Sequence, residues 1–113
     1  MIKVYGIKTC GSVRKAIKFF NENNIEFEFI DFRKNPLDDS KIDFFASNID
    51  VNLLFNNKGT KYRDLKLKEL NLNEDGKLAW LKKENMLLKR PVIEYNNKAL
   101  CAFDEEVYKD TFL

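Results

Sequence analysis

The sequence contains no histidine. A Ser-His-Asp or Cys-His catalytic arrangement is therefore excluded within the chain. A structural zinc site is excluded as well, because two cysteines without histidine cannot close a tetrahedral ligand set. No side chain has an unperturbed pKa between about 5 and 8. Chemistry near neutral pH then has to come from a cysteine, carboxylate or lysine in a special setting, or from a bound cofactor. Cysteine is scarce, with only Cys10 and Cys101, whereas small secreted domains held by disulfides carry more. No apolar run approaches the length of a membrane span. The opening Met1-Ile2-Lys3-Val4-Tyr5 has no signal-peptide core. The expectation is a protein of the reducing cytoplasm with no membrane partner. An excess of one charge is lacking too: 20 basic residues face 18 acidic ones, a net charge of +2. That is too little to point to direct nucleic-acid binding. Arginine is limited to Arg14, Arg33, Arg63 and Arg90. Because its planar fork suits oxyanions, these four positions bear on any anion site.

What is present is a core. The chain has 113 residues, 44% hydrophobic and 13% aromatic, with ten phenylalanines. That suits one domain over residues 1–113. Residues 1–6 alternate and end in glycine, as a strand does. Val13, Ala16, Ile17, Phe19 and Phe20 recur at helical spacing from Ser12 to about Asn23. Ile25 to Phe32 alternates with period two and predicts a second strand. A strand-helix-strand unit of this kind makes its strands parallel. A helical stretch follows, about 37–88. Asp38 or Asp39 caps a helix to about Ser47, and Asp50 caps a short one. Residues 60–72 read as irregular with a helical turn, and Asp75 to Glu84 reads as a helix. Arg90-Pro91 then precedes a strand over Val92 to Tyr95. Asn96-Asn97 forms a turn, Ala99 to Ala102 is the return strand, and Asp104 caps a last helix to about Asp110. The fold class is thus α/β, with the order of a thioredoxin-like protein. Its expected four-stranded mixed sheet runs 2-1-3-4, with a helical insertion between the βαβ and ββα halves.

This order singles out Cys10, in the loop Ile7-Lys8-Thr9-Cys10-Gly11 between a strand end and a helix start. A thiolate there faces free backbone N–H groups and the positive end of the helix dipole. Lys8, Arg14 and Lys15 add positive charge, and Ser12 can donate a hydrogen bond to the sulfur. Such surroundings activate a nucleophilic thiol without histidine. The plainer alternative is a partly buried cysteine at a tight turn. Position 13 is valine, so no Cys-x-x-Cys dithiol exists, and a mixed disulfide at Cys10 needs another thiol to resolve it. Cys101 is a poor candidate for that. The predicted sheet puts it two strands from strand 1, roughly 10 Å away, whereas a disulfide needs Cα atoms within about 7 Å. A small buried hydrophobe is the simpler role for it. Arg90 and Pro91 open strand 3 at the Cys10 edge, where a cis bond is tolerated. Arg90 there can hold a thiolate or an oxyanion. Arg63 is either a further anion contact or a solvated loop residue.

Together these residues resemble the arsenate reductase-like (ArsC) family, which includes Spx-type regulators and YffB-type proteins. The matching blocks are Val4-Tyr5-Gly6-Ile7-Lys8-Thr9-Cys10, Arg14-Lys15-Ala16, Gly59-Thr60-Lys61-Tyr62-Arg63-Asp64-Leu65, Arg90-Pro91-Val92-Ile93 and Ala102-Phe103-Asp104 with Tyr108. The resemblance implies a thioredoxin-like fold with a helical insert and a cis bond before Pro91. It makes Cys10 the nucleophile and Arg90 the anion-binding arginine. It also sets Phe55 and Ala102 where arsenate reductases carry two further arginines, which argues against arsenate as substrate. The YffB-type pattern Ile7-Lys8-x-Cys10 implies a thiol reductase with no bound cofactor, a small thiol or oxyanion as substrate and glutathione as co-substrate. The Spx branch implies the alternative, a non-enzymatic regulator binding the RNA polymerase α C-terminal domain. Val13 in place of a second switch cysteine, and Asp50 at or beside a glycine used for that contact, weigh against it.

Overall fold

Alternation of apolar and polar residues builds the sheet, and the connections set its order. A computed structural model describes residues 1–113. Strand β1 (Ile2–Gly6) lies parallel to β2 (Phe27–Asp31), because helix α1 (Gly11–Glu22) crosses over between them. Strand β3 (Val92–Tyr95) is antiparallel to β1, and β4 (Lys98–Cys101) is antiparallel to β3. The sheet order is β2-β1-β3-β4, a thioredoxin-like α/β arrangement. The β3–β4 turn is Asn96-Asn97, with φ of 46° and 61°. A two-residue hairpin turn of the favoured hand requires such positive φ values at both positions, and asparagine tolerates them.

The insertion between β2 and β3 holds α2 (Asp39–Asn48), α3 (Val51–Leu54), α4 (Thr60–Asp64), a 3-10 turn over Leu67–Leu70, α5 (Glu74–Lys83) and a 3-10 turn over Asn85–Leu87. Helix α6 (Glu105–Phe112) closes the chain. Asp38, Asp50, Asn73 and Asp104 each accept hydrogen bonds from backbone N–H groups at the starts of α2, α3, α5 and α6. This is why Asp, Asn and Ser are favoured at such positions.

Successive side chains of a strand point to opposite faces. Val4 and Ile93 accordingly pack on one face with Ala16, Phe19 and Phe20 of α1 and Tyr108 of α6. Their neighbours Tyr5 and Val92 pack on the other face against Ile42, Phe45, Leu54 and Leu81 of the insertion. No helix is long and apolar enough to cross a membrane.

Boundaries differ from expectation where local bonding extends or ends an element. Helix α1 begins at Gly11, one residue early, which makes Cys10 its N-cap. Strand β2 spans only 27–31 rather than 25–32. Asn24 turns left-handed (φ 56°), and the Ile25 N–H bonds back to Phe20 at the end of α1. Residues 60–72 are more ordered than expected: α4 and a 3-10 turn, separated by left-handed Lys66 (φ 54°). Helix α5 opens at Glu74, one residue before expectation, because Asn73 caps it, its side chain accepting the Gly76 N–H.

Candidate active site

Gly6 ends β1 and sets the position of everything that follows. A Cβ on Gly6 would stand 2.6 Å from Cγ2 of Val13. Only the absence of a side chain lets α1 pack this closely onto the strand end. The chain then rises through Ile7, which is buried, to exposed Lys8 and Thr9. The Cys10 N–H bonds the carbonyl of Ile7 at 3.2 Å, and the Arg14 N–H bonds the carbonyl of Cys10 at 3.1 Å. Arg14 also donates from Nε to the carbonyl of Lys8 at 2.9 Å, clipping the loop to the first turn of α1.

Cys10 thus caps α1 in extended geometry (φ −86°, ψ 126°), with no capping hydrogen bond from its side chain. The other long helices spend an oxygen on that position, whereas α1 opens on a sulfur. Its first turn contains no acidic residue. The first N–H groups of a helix have no intrahelical partner, and its N-terminus carries partial positive charge. The half-buried Cys10 thiol therefore stands in a positively polarised setting, with exposed Lys8 and Arg14 on the same loop and first turn. Lys15 instead faces a cleft shared with Lys18, Phe103 and Lys109 beside α6. A Cβ added at Gly11 would meet nothing within 4 Å, so the residue after Cys10 faces open space at the start of α1. Ser12 is exposed on the first turn, but no hydrogen bond joins its hydroxyl to the sulfur; it points to solvent, and that expected contact is not formed.

Arg90 reaches the same edge from the other side. Val92, the first residue of β3, pairs with Tyr5, one residue before the end of β1. The cis Arg90-Pro91 pair therefore stands beside the Gly6-Ile7 end of β1. Pro91 is buried, and its carbonyl accepts the Ala102 N–H at 2.8 Å, which joins the strand entry to the end of β4. Arg90 is half-exposed, and its Nη1 lies 3.5 Å from Sδ of Met86, four residues earlier. That contact leaves most of the guanidinium donors free.

The remaining candidates fall elsewhere. Cys101 pairs with Val92, and Val92 pairs with Tyr5, so Cys101 stays two strands from β1. Its Sγ lies 4.0 Å from the carbonyl of Leu53 in the insertion. Burial pushes its thiol up, with the Lys89 charge opposing. Both cysteines are free. Arg63 is fastened to its own turn, donating from Nη1 to the carbonyl of Lys58 at 3.0 Å and from Nη2 to Thr60 at 3.4 Å. It lines a cleft of the insertion that neither Cys10 nor Arg90 enters. Phe55 is buried edge-to-face against Tyr62. Ala102 is left-handed (φ 69°), and its carbonyl accepts the Tyr108 hydroxyl at 2.7 Å. Neither brings a charge to the edge. Sequence reasoning missed Gly6 and Met86 as positioning residues. A glycine closing a strand just before a loop, and an apolar residue four before Arg90, were the available signals.

The ArsC family model matches residues 5–111. An uncharacterised protein of Haemophilus influenzae is 35% identical over 113 residues, covering 99% of each chain. A Staphylococcus aureus COL protein solved by solution NMR is 37% identical and superposes with a TM-score of 0.82, over 100% of this chain and 99% of that one. A possible arsenate reductase from Streptococcus mutans UA159 is 27% identical, with a TM-score of 0.81 over 100% of this chain and 98% of that one.

Proposed function

The chain belongs to the ArsC family, whose model spans residues 5–111, and from that premise we propose that it is a monothiol reductase of mixed disulfides. The observation that carries this reading is Cys10 itself: a thiol at the N-cap of an acid-free helix, on the edge where Arg90 enters β3. The Cys10 thiolate attacks the glutathione sulfur of a glutathionylated thiol. A sulfur–sulfur bond forms to Cys10, the old disulfide breaks, and the substrate leaves as a thiolate with the electron pair. A second glutathione thiolate then attacks the Cys10 adduct, releases Cys10 and forms glutathione disulfide. The net change is a thiol–disulfide exchange: the mixed disulfide and one free glutathione thiol become the substrate thiol and glutathione disulfide, and no resident cofactor takes part. Arg90 offsets negative charge on the leaving thiolate or on a glutathione carboxylate. Cys101, half-buried and turned toward Leu53, has no step in this cycle.

Kinship to a possible arsenate reductase supports thiol-based reduction in general, while Phe55 and Ala102 offer no charge for a tetrahedral oxyanion. The reaction suits a reducing cytoplasm, where glutathione is abundant.

The test follows glutathione disulfide formation from a glutathionylated peptide, with mass spectrometry of the enzyme. The expected result is a glutathione adduct on Cys10 and no turnover in Cys10→Ser. Arg90→Ala should lower kcat/KM by about tenfold, the loss of one charged hydrogen bond, with unchanged circular dichroism. Turnover surviving in Cys10→Ser overturns the proposal. So does a wild-type protein that forms no adduct, the behaviour of an Spx-type regulator.

A further inference from the structure

The positive charge of this chain is concentrated in one short stretch. Residues 58–68 carry Lys58, Lys61, Arg63, Lys66 and Lys68 against Asp64 alone, a net charge of +4. The whole chain has +2, so everything outside this stretch sums to −2. The structure folds four of these cations onto one feature. Lys58, Arg63, Lys66 and Lys68 line a cleft of about 390 Å³ floored by Tyr62, and Glu69 is its only acidic neighbour. All four are exposed, and none forms an ion pair; Lys61, outside the cleft, is the one that faces a carboxylate, Glu84. Left-handed Lys66 reverses the chain between α4 and the 3-10 turn at Leu67, so both segments present their cations to the same cleft. The Arg63 guanidinium is held by Lys58 and Thr60 with N–H groups to spare, and is thus preorganised.

A small mixed recess adjoins the charged cleft. It measures about 170 Å³, shares Asn57, Tyr62 and Lys68 with the cleft, and sets Phe55, Leu67 and Leu72 beside Asn71 and a further cation, Lys77. Leu65 and Leu70 nearby are exposed. Uncompensated cations beside a recess that holds both a further lysine and apolar side chains are complementary to an extended segment rich in carboxylates that also carries an apolar side chain. They suit a nucleic acid poorly. A phosphate backbone would run beyond this short stretch onto a surface whose net charge is negative, and affinity for it grows with the number of phosphates neutralised.

We propose that this cleft of the insertion is a docking site for an acidic, extended segment of a partner protein. The site is separate from the Cys10 edge and does not depend on the reaction proposed there. The probe is a fluorescein-labelled peptide of six glutamates flanking two leucines, titrated against the full chain. Anisotropy should report binding at about 50 mM salt that weakens at about 500 mM, as screening shortens the reach of exposed charges. Lys66→Glu with Lys68→Glu should weaken binding by about tenfold or more, through two reversed charges. Lys34→Glu with Lys98→Glu changes net charge equally and should leave binding within about twofold. NMR shift changes on the unaltered protein should centre on residues 57–72, a readout independent of the variants' folding. The proposal is overturned by no binding at low salt, by equal weakening in both double variants, or by tighter binding of a single-stranded oligonucleotide of equal charge.

Discussion

Gly6 is the residue on which the Cys10 edge turns. Its absent side chain brings the first turn of α1 against the end of β1, with Val13 filling the space a methyl would need. Gly6→Ala should therefore force a shift of α1 and cost about 1–3 kcal/mol, the usual penalty for overpacking a tight site. Urea denaturation checks this, and Gly6→Ala with Val13→Ala should recover part of the loss by vacating the contact. Iodoacetamide labelling reports on the same region. At pH 8 Cys10 should be modified well before Cys101, whose thiol is pushed up by burial and faces Leu53 rather than solvent. Peptide mass spectrometry over time distinguishes the two sites.

At the scale of elements, the insertion is tied to the sheet by a polar clamp as well as by apolar contact. Glu94 of β3 accepts the Tyr5 hydroxyl at 2.8 Å and the Lys41 ammonium of α2 at 2.8 Å. Lys41 also stands over the rings of Tyr5 and Phe44. Burial opposes ionisation of Glu94, yet the hydrogen bonds from Lys41 and Tyr5 outweigh it and hold its carboxyl below the ordinary value of 4.5. Burial, with the Glu94 contact, pushes the Tyr5 hydroxyl well above its ordinary value. A carboxyl depressed in the folded state contributes stability that is full above its unfolded pKa and lost as pH falls through the folded one. The unfolding free energy of the native chain should thus fall as pH drops below about 4.5, and Glu94→Gln should flatten that slope. At neutral pH the variant should lose about 1 kcal/mol, since the clamp is partly solvated. Urea unfolding between pH 3 and 7 measures both effects, and an unchanged slope would count against the clamp.

For the whole molecule, the insertion is structural cover as well as decoration. The larger core cluster joins Tyr5, Ile7, Phe32, Val92 and Ala99 of the βαβ and ββα halves to Ile42, Phe45, Leu54, Leu67, Leu81 and Leu87 of the insertion. Removing residues 37–88 would bare one face of the sheet, and burial of apolar surface is the main force holding such layers. A chain with that segment replaced by a short Gly-Ser linker should lose cooperative thermal unfolding and bind the dye ANS. Cooperative unfolding of the shortened chain would show that the sheet and its α1–α6 layer suffice.

The local features were legible because their causes are local. Period-two alternation marked β1 and β2, helical spacing of Val13, Ala16, Phe19 and Phe20 marked α1, and Asp38, Asp50 and Asp104 marked helix starts. The right-handed crossover rule carried these elements to the order β2-β1-β3-β4. That order sets Cys10 and the Arg90-Pro91 entry to β3 at one edge of the sheet. Tertiary structure decided what depends on pairs distant in sequence. The Tyr5–Glu94–Lys41 clamp joins residues up to 89 positions apart, and nothing in the spacing of either strand announces it. Left-handed Lys66 sets Lys66 and Lys68 on one wall of a cleft, and Arg63 lines that cleft rather than facing the thiol. The absence of histidine excluded histidine-based chemistry from the sequence alone. Packing at Gly6 and pairing at Val92 are tertiary, and they decided where Cys10 stands and which strand entry lies beside it.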